Sequence, residues 1–187
     1  MPDDTDAAAF SGAAGLWGKG RAMDELEGWN DRWSVGIDGI DEEHRYFIHL
    51  LDQFNDDGNG GLSGQRLRDM AAELLTYTEE HFTNEEKVME AAGYPLYDDH
   101  RYQHDLAEDE IRHTMNTPMP EAEFRAFLGR FMLNWLVLHI QSSDQKLSAW
   151  LRENGVEYQR LFDGIISHRD WMKLRRDTDS LLTPAAE

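Results

Sequence analysis

The chain has 187 residues, 40% of them apolar and 11% aromatic, which suits one domain with a real core and some extra segments. Its 37 acids against 18 basic residues leave a formal charge of −19, which argues against nucleic acid as a partner and disfavours anionic membranes. Cysteine is absent, so disulfides, thiolate catalysis and sulfur-ligated metal sites are excluded, and any metal must be held by nitrogen and oxygen.

The first residues, MPDDTDAAAFSGAAGLWGKGR, carry acids where a secretory signal would carry basic residues. No run approaches the roughly 18 apolar residues of a spanning helix, so no membrane insertion is expected and the chain reads as cytoplasmic, or as a soluble piece of something larger. Residues 1–28, rich in Ala, Gly and Asp without a sustained period, read as a flexible or loosely docked extension.

From Asp41 the pattern turns helical: Phe47, Leu50, Leu51 and Phe54 recur at three and four, and NDDGNGG at 55–61 stops the run. Ser63 is placed to cap a second, long helix with Leu67, Met70, Leu74, Leu75, Tyr77, Val88 and Met89 on its apolar positions, ended by Gly93 and Pro95. A third runs from Asp98 or Asp99 to about Met115, closed by NTPMP. The fourth follows Pro120, has acids in its first turn, carries Phe124, Phe127, Leu128, Phe131, Met132, Trp135, Leu136 and Leu138, and reaches Leu151. Four amphipathic helices with short links and almost no strand signal predict an all-α, up-down-up-down four-helix bundle over 29–154. Residues 155–187 form a C-terminal extension, in which Leu161, Phe162, Ile165, Ile166 and Trp171 suit one more amphipathic helix with a basic end, packed on the bundle or on a protein partner.

Histidine spacing carries the chemistry. Residues four apart on a helix lie about 40° from each other, so His81 with Glu85, and His100 with His104, each point at one object. Alone, such a pair is an ordinary solvated contact worth a few tenths of a kcal/mol. Here each helix offers its own candidate: His44 early in the first, His81 and Glu85 well along the second, His100 and His104 early in the third, and His139 with Asp144 late in the fourth. In an alternating bundle these heights agree, so all four sets can meet in one layer near one end. His139 sits in the apolar run FMLNWLVLHI, where an unpaired ring nitrogen costs about 1–3 kcal/mol. A neighbouring side chain could satisfy it; with the other helices considered, metal is the better partner.

The stretches WNDRWSVGIDGIDEEHRYFIHLLDQFN, HFTNEEKVME, GYPLYDDHRYQH and FLGRFMLNWLVLHIQSSDQKL resemble the successive motifs of the hemerythrin family in its bacterial branch, from about Trp29 to Leu151, two thirds of the chain. The resemblance implies a non-haem di-iron centre with a bridging oxo or hydroxo group: His100, His104 and His139 on one iron, His44 and His81 on the other, Glu85 and Asp144 across both. By residue type alone manganese or zinc would serve as well. Two small departures stand out: many relatives have glutamine where Glu43 stands, and a tyrosine often seen after Asp144 is missing. Because His139 and Asp144 are five apart, an ideal helix would separate them by about 140° and about 7.5 Å. Either a one-turn π-bulge brings them together or they approach from different sides.

The implied ligand count leaves an open position on the His44/His81 metal. The resemblance then implies reversible dioxygen binding with electrons from both metals, no protein acid or base and no net turnover, for storage, delivery or supply, and therefore not an enzyme. Phe82, Trp135, Leu136 and Ile140 are candidate lining for the dioxygen pocket, although aromatic and leucine stripes serve the core first. A redox or oxygen sensor acting through the terminal segments, and a di-iron peroxidase or nitric oxide scavenger, are the competing readings. His49, His113 and His168 fall outside the ligand pattern, and Glu86, about 100° round the helix from Glu85, is expected to point away from the site.

Overall fold

The computed structural model describes residues 29–55, 63–158 and 160–161. Four long helices dominate: α1 (Asp38–Asn55), α2 (Gly64–Ala92), α3 (Tyr97–Asn116) and α4 (Glu121–His139), the last continuing through a π turn (Ile140–Asp144) into α5 (Gln145–Glu153). Helices α1 and α3 each pack between α2 and α4, which makes an up-down-up-down bundle with α1 and α3 on the diagonal. None of the described helices is long and apolar enough to cross a membrane.

The half of the bundle away from the histidine layer is apolar. Leu50, Leu51, Phe54, Leu67, Leu74, Phe124 and Leu128 are fully buried there, each contributing about 2 kcal/mol relative to exposure. Phe54 and Phe124 meet edge to face at 6.4 Å and join α1 to α4.

Local chemistry sets the height of each helix. α1 begins where Asp41 gathers the entry loop: its carboxylate accepts from the Ser34 hydroxyl at 2.5 Å, the Val35 N–H at 2.8 Å and the Gly36 N–H at 3.2 Å. The same loop is tied to α5, because the Ser148 hydroxyl donates to the Val35 carbonyl and the Gln145 amide to the Arg32 carbonyl. α2 ends on Gly93, at φ +69°, with Gly93 N–H bonded to the Glu90 carbonyl and Tyr94 N–H to that of Met89, the paired bonds of a Schellman cap. Ser63, expected to cap α2 through its hydroxyl, has extended backbone but makes no such bond; the Gly64 N–H is instead satisfied by the Glu121 carboxylate at 3.0 Å, from the start of α4. The proposed extensions at 1–28 and beyond Leu161 lie outside the described residues.

Candidate metal centre

All seven side chains named by the sequence pattern are buried and lie in one layer: His44 on α1, His81 and Glu85 on α2, His100 and His104 on α3, His139 at the end of α4 and Asp144 at the end of the π turn. The five imidazoles fall into two groups. His100, His104 and His139 form a near-equilateral triangle with ring centroids 4.7, 4.7 and 4.8 Å apart, and their Nε2 atoms crowd inward, with that of His139 2.9 Å from His100 and 3.0 Å from His104. His44 and His81 pair separately at 4.9 Å.

The carboxylates connect the groups. Asp144 turns Oδ1 toward His139 at 3.0 Å and His100 at 3.2 Å, and Oδ2 toward His44 at 3.4 Å, so one oxygen serves each group. Glu85 Oε2 lies 3.2 Å from His100 and 3.3 Å from His104. The π turn answers the spacing problem of His139 and Asp144: its wider winding carries the fifth residue back to the same side, so both enter the layer together. Next to it the Ser143 hydroxyl donates to Gln103 at 2.8 Å and holds the turn against α3.

These residues fit a metal. The ligating atoms of Glu85, His100, His104 and His139 all lie within 4.8 Å of one another. His44 Nε2, His81 Nε2, Glu85 Oε2 and both oxygens of Asp144 are buried without a hydrogen-bond partner, and each such atom costs about 1–3 kcal/mol unless something answers it. Imidazole nitrogens at hydrogen-bond distance from each other and facing carboxylate oxygens offer the donor set of a borderline divalent cation.

The electrostatics follow from the same crowding. Burial pushes both carboxylic acids toward protonation, and at Glu85 the neighbouring Asp144 charge adds to it. The charge of His100 and the close approach of His100 and His104 outweigh this and hold Glu85 well below its usual range. Asp144 is likewise held well below its usual range, by His139, His100 and His44. Burial opposes the charged form of His100, but Glu85 and Asp144 raise it to about 10. His81 is raised by Glu43 and the fields of Glu85 and Asp144 against the same burial, whereas burial and the neighbouring His104 and His100 win at His139 and lower it.

Two acids outside the expected set complete the layer. Glu43, read from the sequence only as a departure from relatives, places Oε2 2.7 Å from His81 Nδ1. Glu86 does not turn away from the site as expected: its Oε1 lies 2.9 Å from His104 Nδ1. A 100° rotation from Glu85 takes Glu86 off the inward face, yet onto the seam between α2 and α3 where the outer edge of His104 emerges. The signal that could have found both is the second ring nitrogen of each histidine, which needs a partner when buried. Tyr158, from the turn after α5, is also buried; burial first, and then the fields of Glu85, Glu43 and Asp144, keep its phenol protonated well above the ordinary range.

The candidate lining residues take different places. Phe82 stacks on His104 at 3.9 Å with its plane only 2° away, and Trp135 stacks on His139 at 4.3 Å, so both cover the three-histidine group; Leu136 and Ile140 are fully buried. His49 and His113 are exposed, with His49 bonded to Gln53 at 2.6 Å, and His168 lies outside the described residues.

Residues 35–151 match the family model for the hemerythrin HHE cation binding domain. A bacteriohemerythrin of Stenotrophomonas maltophilia (strain R551-3) is 31% identical over 140 residues, covering 70% of this chain and 88% of that protein. A bacteriohemerythrin of Pseudomonas aeruginosa (strain LESB58) is 29% identical, covering 62% of this chain and 75% of its own length, and hemerythrin subunit 1 of Golfingia vulgaris is 27% identical, covering 63% and 87%. No solved structure gave a match. With the family model spanning more than half of its length over the helices that build the histidine layer, the chain belongs to the hemerythrin family.

Proposed function

We propose that the chain binds dioxygen reversibly at a pair of iron ions, one held by His100, His104 and His139, the other by His44 and His81, with Glu85 and Asp144 shared between them and a bridging oxo or hydroxo group completing the pair. The observation that carries this reading is the three-plus-two grouping of the imidazoles with the two oxygens of Asp144 divided between the groups. A pair of ferrous ions held by these residues would supply reversible electron transfer to bound dioxygen.

The protein's own part is to hold and to exclude. The three-histidine group offers one more neutral donor than the two-histidine group, so a metal held by His44 and His81 would have fewer protein ligands and more room for dioxygen. Glu85 and Asp144 offset much of the metal charge in a layer where every ligand is buried. Glu43 and Glu86 each accept a proton bond from a ring Nδ1, which commits Nε2 of His81 and His104 to the metal. Phe82, Trp135, Leu136 and Ile140 keep water from the layer, which favours release of intact dioxygen over its loss as a reduced product.

The test is optical. The iron-loaded chain, reduced without air, should gain a visible charge-transfer band on exposure to air, lose it under vacuum and regain it in repeated cycles. Conversion to a permanent ferric spectrum on first exposure, with peroxide consumed, would overturn the carrier reading in favour of a di-iron oxidase or peroxidase.

A further inference from the structure

The two histidine groups are not equally ready for a metal ion. On one side His100, His104 and His139 turn Nε2 inward together with Glu85 Oε2 and Asp144 Oδ1, and neighbouring atoms of this set stand 2.9, 3.0, 3.0, 3.2, 3.2 and 3.3 Å apart. Metal bonds of about 2.1 Å put neighbouring donors about 3.0 Å apart in an octahedron, so the set already has the spacing of five donors around one six-coordinate ion. The rings are held there from outside. Phe82 stacks on His104 at 3.9 Å, Trp135 stacks on His139 at 4.3 Å, and Glu86 meets His104 Nδ1 at 2.9 Å.

The side of His44 and His81 is less gathered. Their rings lie 4.9 Å apart, Asp144 Oδ2 stands 3.4 Å from His44 Nε2, and both ring nitrogens of His44 are without a hydrogen bond. Glu43 holds His81 by Nδ1 at 2.7 Å, but that contact lies behind the ring and adds no donor to an ion. Among the described residues, Glu85, His100, His104 and His139 are the one set whose ligating atoms all fall within 4.8 Å of one another.

Three physical effects then act in the same direction. An ion entering the three-histidine group meets donors already arranged, whereas one entering beside His44 and His81 must draw its donors together, and that ordering costs affinity. The first group also offers three imidazoles against two. Finally, Glu85 and Asp144 are shared anions, so the first divalent ion offsets the charge that would attract the second.

We infer that the metals load in a fixed order, the three-histidine group first and the His44/His81 group second, with a stable one-metal state between them. The inference rests on the two-metal reading proposed above and gives it a regulatory consequence. Scarce metal is shared out as one ion per chain before any chain receives two, so dioxygen capacity stays near zero through the first equivalent and rises with the second. Iron supply acts as a threshold.

Titration of the metal-free full chain with cadmium(II), a diamagnetic probe that accepts six donors, tests the order. At one equivalent, native mass spectrometry should show mostly chains with a single ion, and calorimetry should resolve two steps, the first tighter by about tenfold or more. Nitrogen NMR of the histidine rings should then show the large changes at Nε2 of His100, His104 and His139, with those of His44 and His81 waiting for the second equivalent. His81→Gln should delete the second step and keep the first, whereas His104→Gln should weaken the first about tenfold or more. Ferrous loading without air, followed by exposure to air, should give the reversible band only beyond one equivalent. A mixture of empty and two-metal chains at one equivalent, or first changes at His44 and His81, would overturn the order while the two-metal site stands. Two ferrous ions taken up in this order with no reversible band would instead overturn the dioxygen reading and leave the order intact.

Discussion

A buried histidine that turns Nε2 to a metal has an Nδ1 to satisfy, and at His81 and His104, though not at His44, His100 or His139, an acid that no ligand pattern names stands there. Glu43→Gln keeps an acceptor opposite His81 and should change iron uptake little. Glu43→Leu removes the acceptor and should weaken the second iron by about 10–100-fold, as read from iron titration against a competing chelator. The candidate ligands set the pH response of the metal-free chain. His100 is raised from 6.5 to about 10, so the stability its proton contributes is complete below 6.5 and is lost as pH rises toward 10. Glu85 and Asp144 are lowered from 4.5 and 3.8, so their contribution is present above those values and is lost as pH falls below them. His139, lowered from 6.5, loses its contribution as pH falls below that value, so the metal-free chain should melt highest near pH 6.5 and lower at each side, whereas iron, which displaces the histidine protons, should reverse the alkaline trend. A calorimetric melting temperature that rises from pH 6.5 to 10 without metal would contradict the assignment.

Helix ends decide where these residues meet. Gly93 stops α2 in the left-handed region, and a Cβ built there would meet nothing within 4 Å. Gly93→Ala therefore isolates backbone strain and should cost about 1 kcal/mol in urea unfolding with iron content unchanged, because the cap bonds to Glu90 and Met89 survive. The π turn works in the opposite sense: it is a departure from regular winding that the ligand layer requires. An unbroken α-helix would carry Asp144 about 140° from His139, and the contact of its two oxygens with different histidine groups would be lost. Such turns concentrate at functional sites because regular hydrogen bonding disfavours them elsewhere.

Across the molecule, the seven candidate ligands come from four helices and one turn, so no single element holds the site. Removing one ligand should then affect one metal more than the fold. His81→Ala leaves His44 as the sole imidazole of its group and should reduce iron from two per chain to about one, with dioxygen binding abolished. His113→Ala, exposed on α3, should leave both irons and the reversible optical change intact. Equal losses in a colorimetric iron assay, with protein concentration from amino-acid analysis, would refute the grouping.

Much of this was readable in the chain itself. Spacing along one helix determines angle, so His81 with Glu85, and His100 with His104, share a face by sequence alone, and the apolar periods around Phe47, Leu74 and Leu136 determine four amphipathic helices. Alternating direction then places early ligands of α1 and α3 beside late ligands of α2 and α4. What remained open depended on contacts between elements. Whether His139 and Asp144 meet was settled by a local change of winding held by Ser143 on Gln103. That Glu86 serves His104, and Glu43 serves His81, depended on how α2 seats against α3 and α1. That the Gly64 N–H is satisfied by Glu121, and not α2 capped by the hydroxyl of Ser63, depended on α4 starting alongside it. Periodicity reports which side of a helix is inward; only packing reports which atoms of other helices stand there.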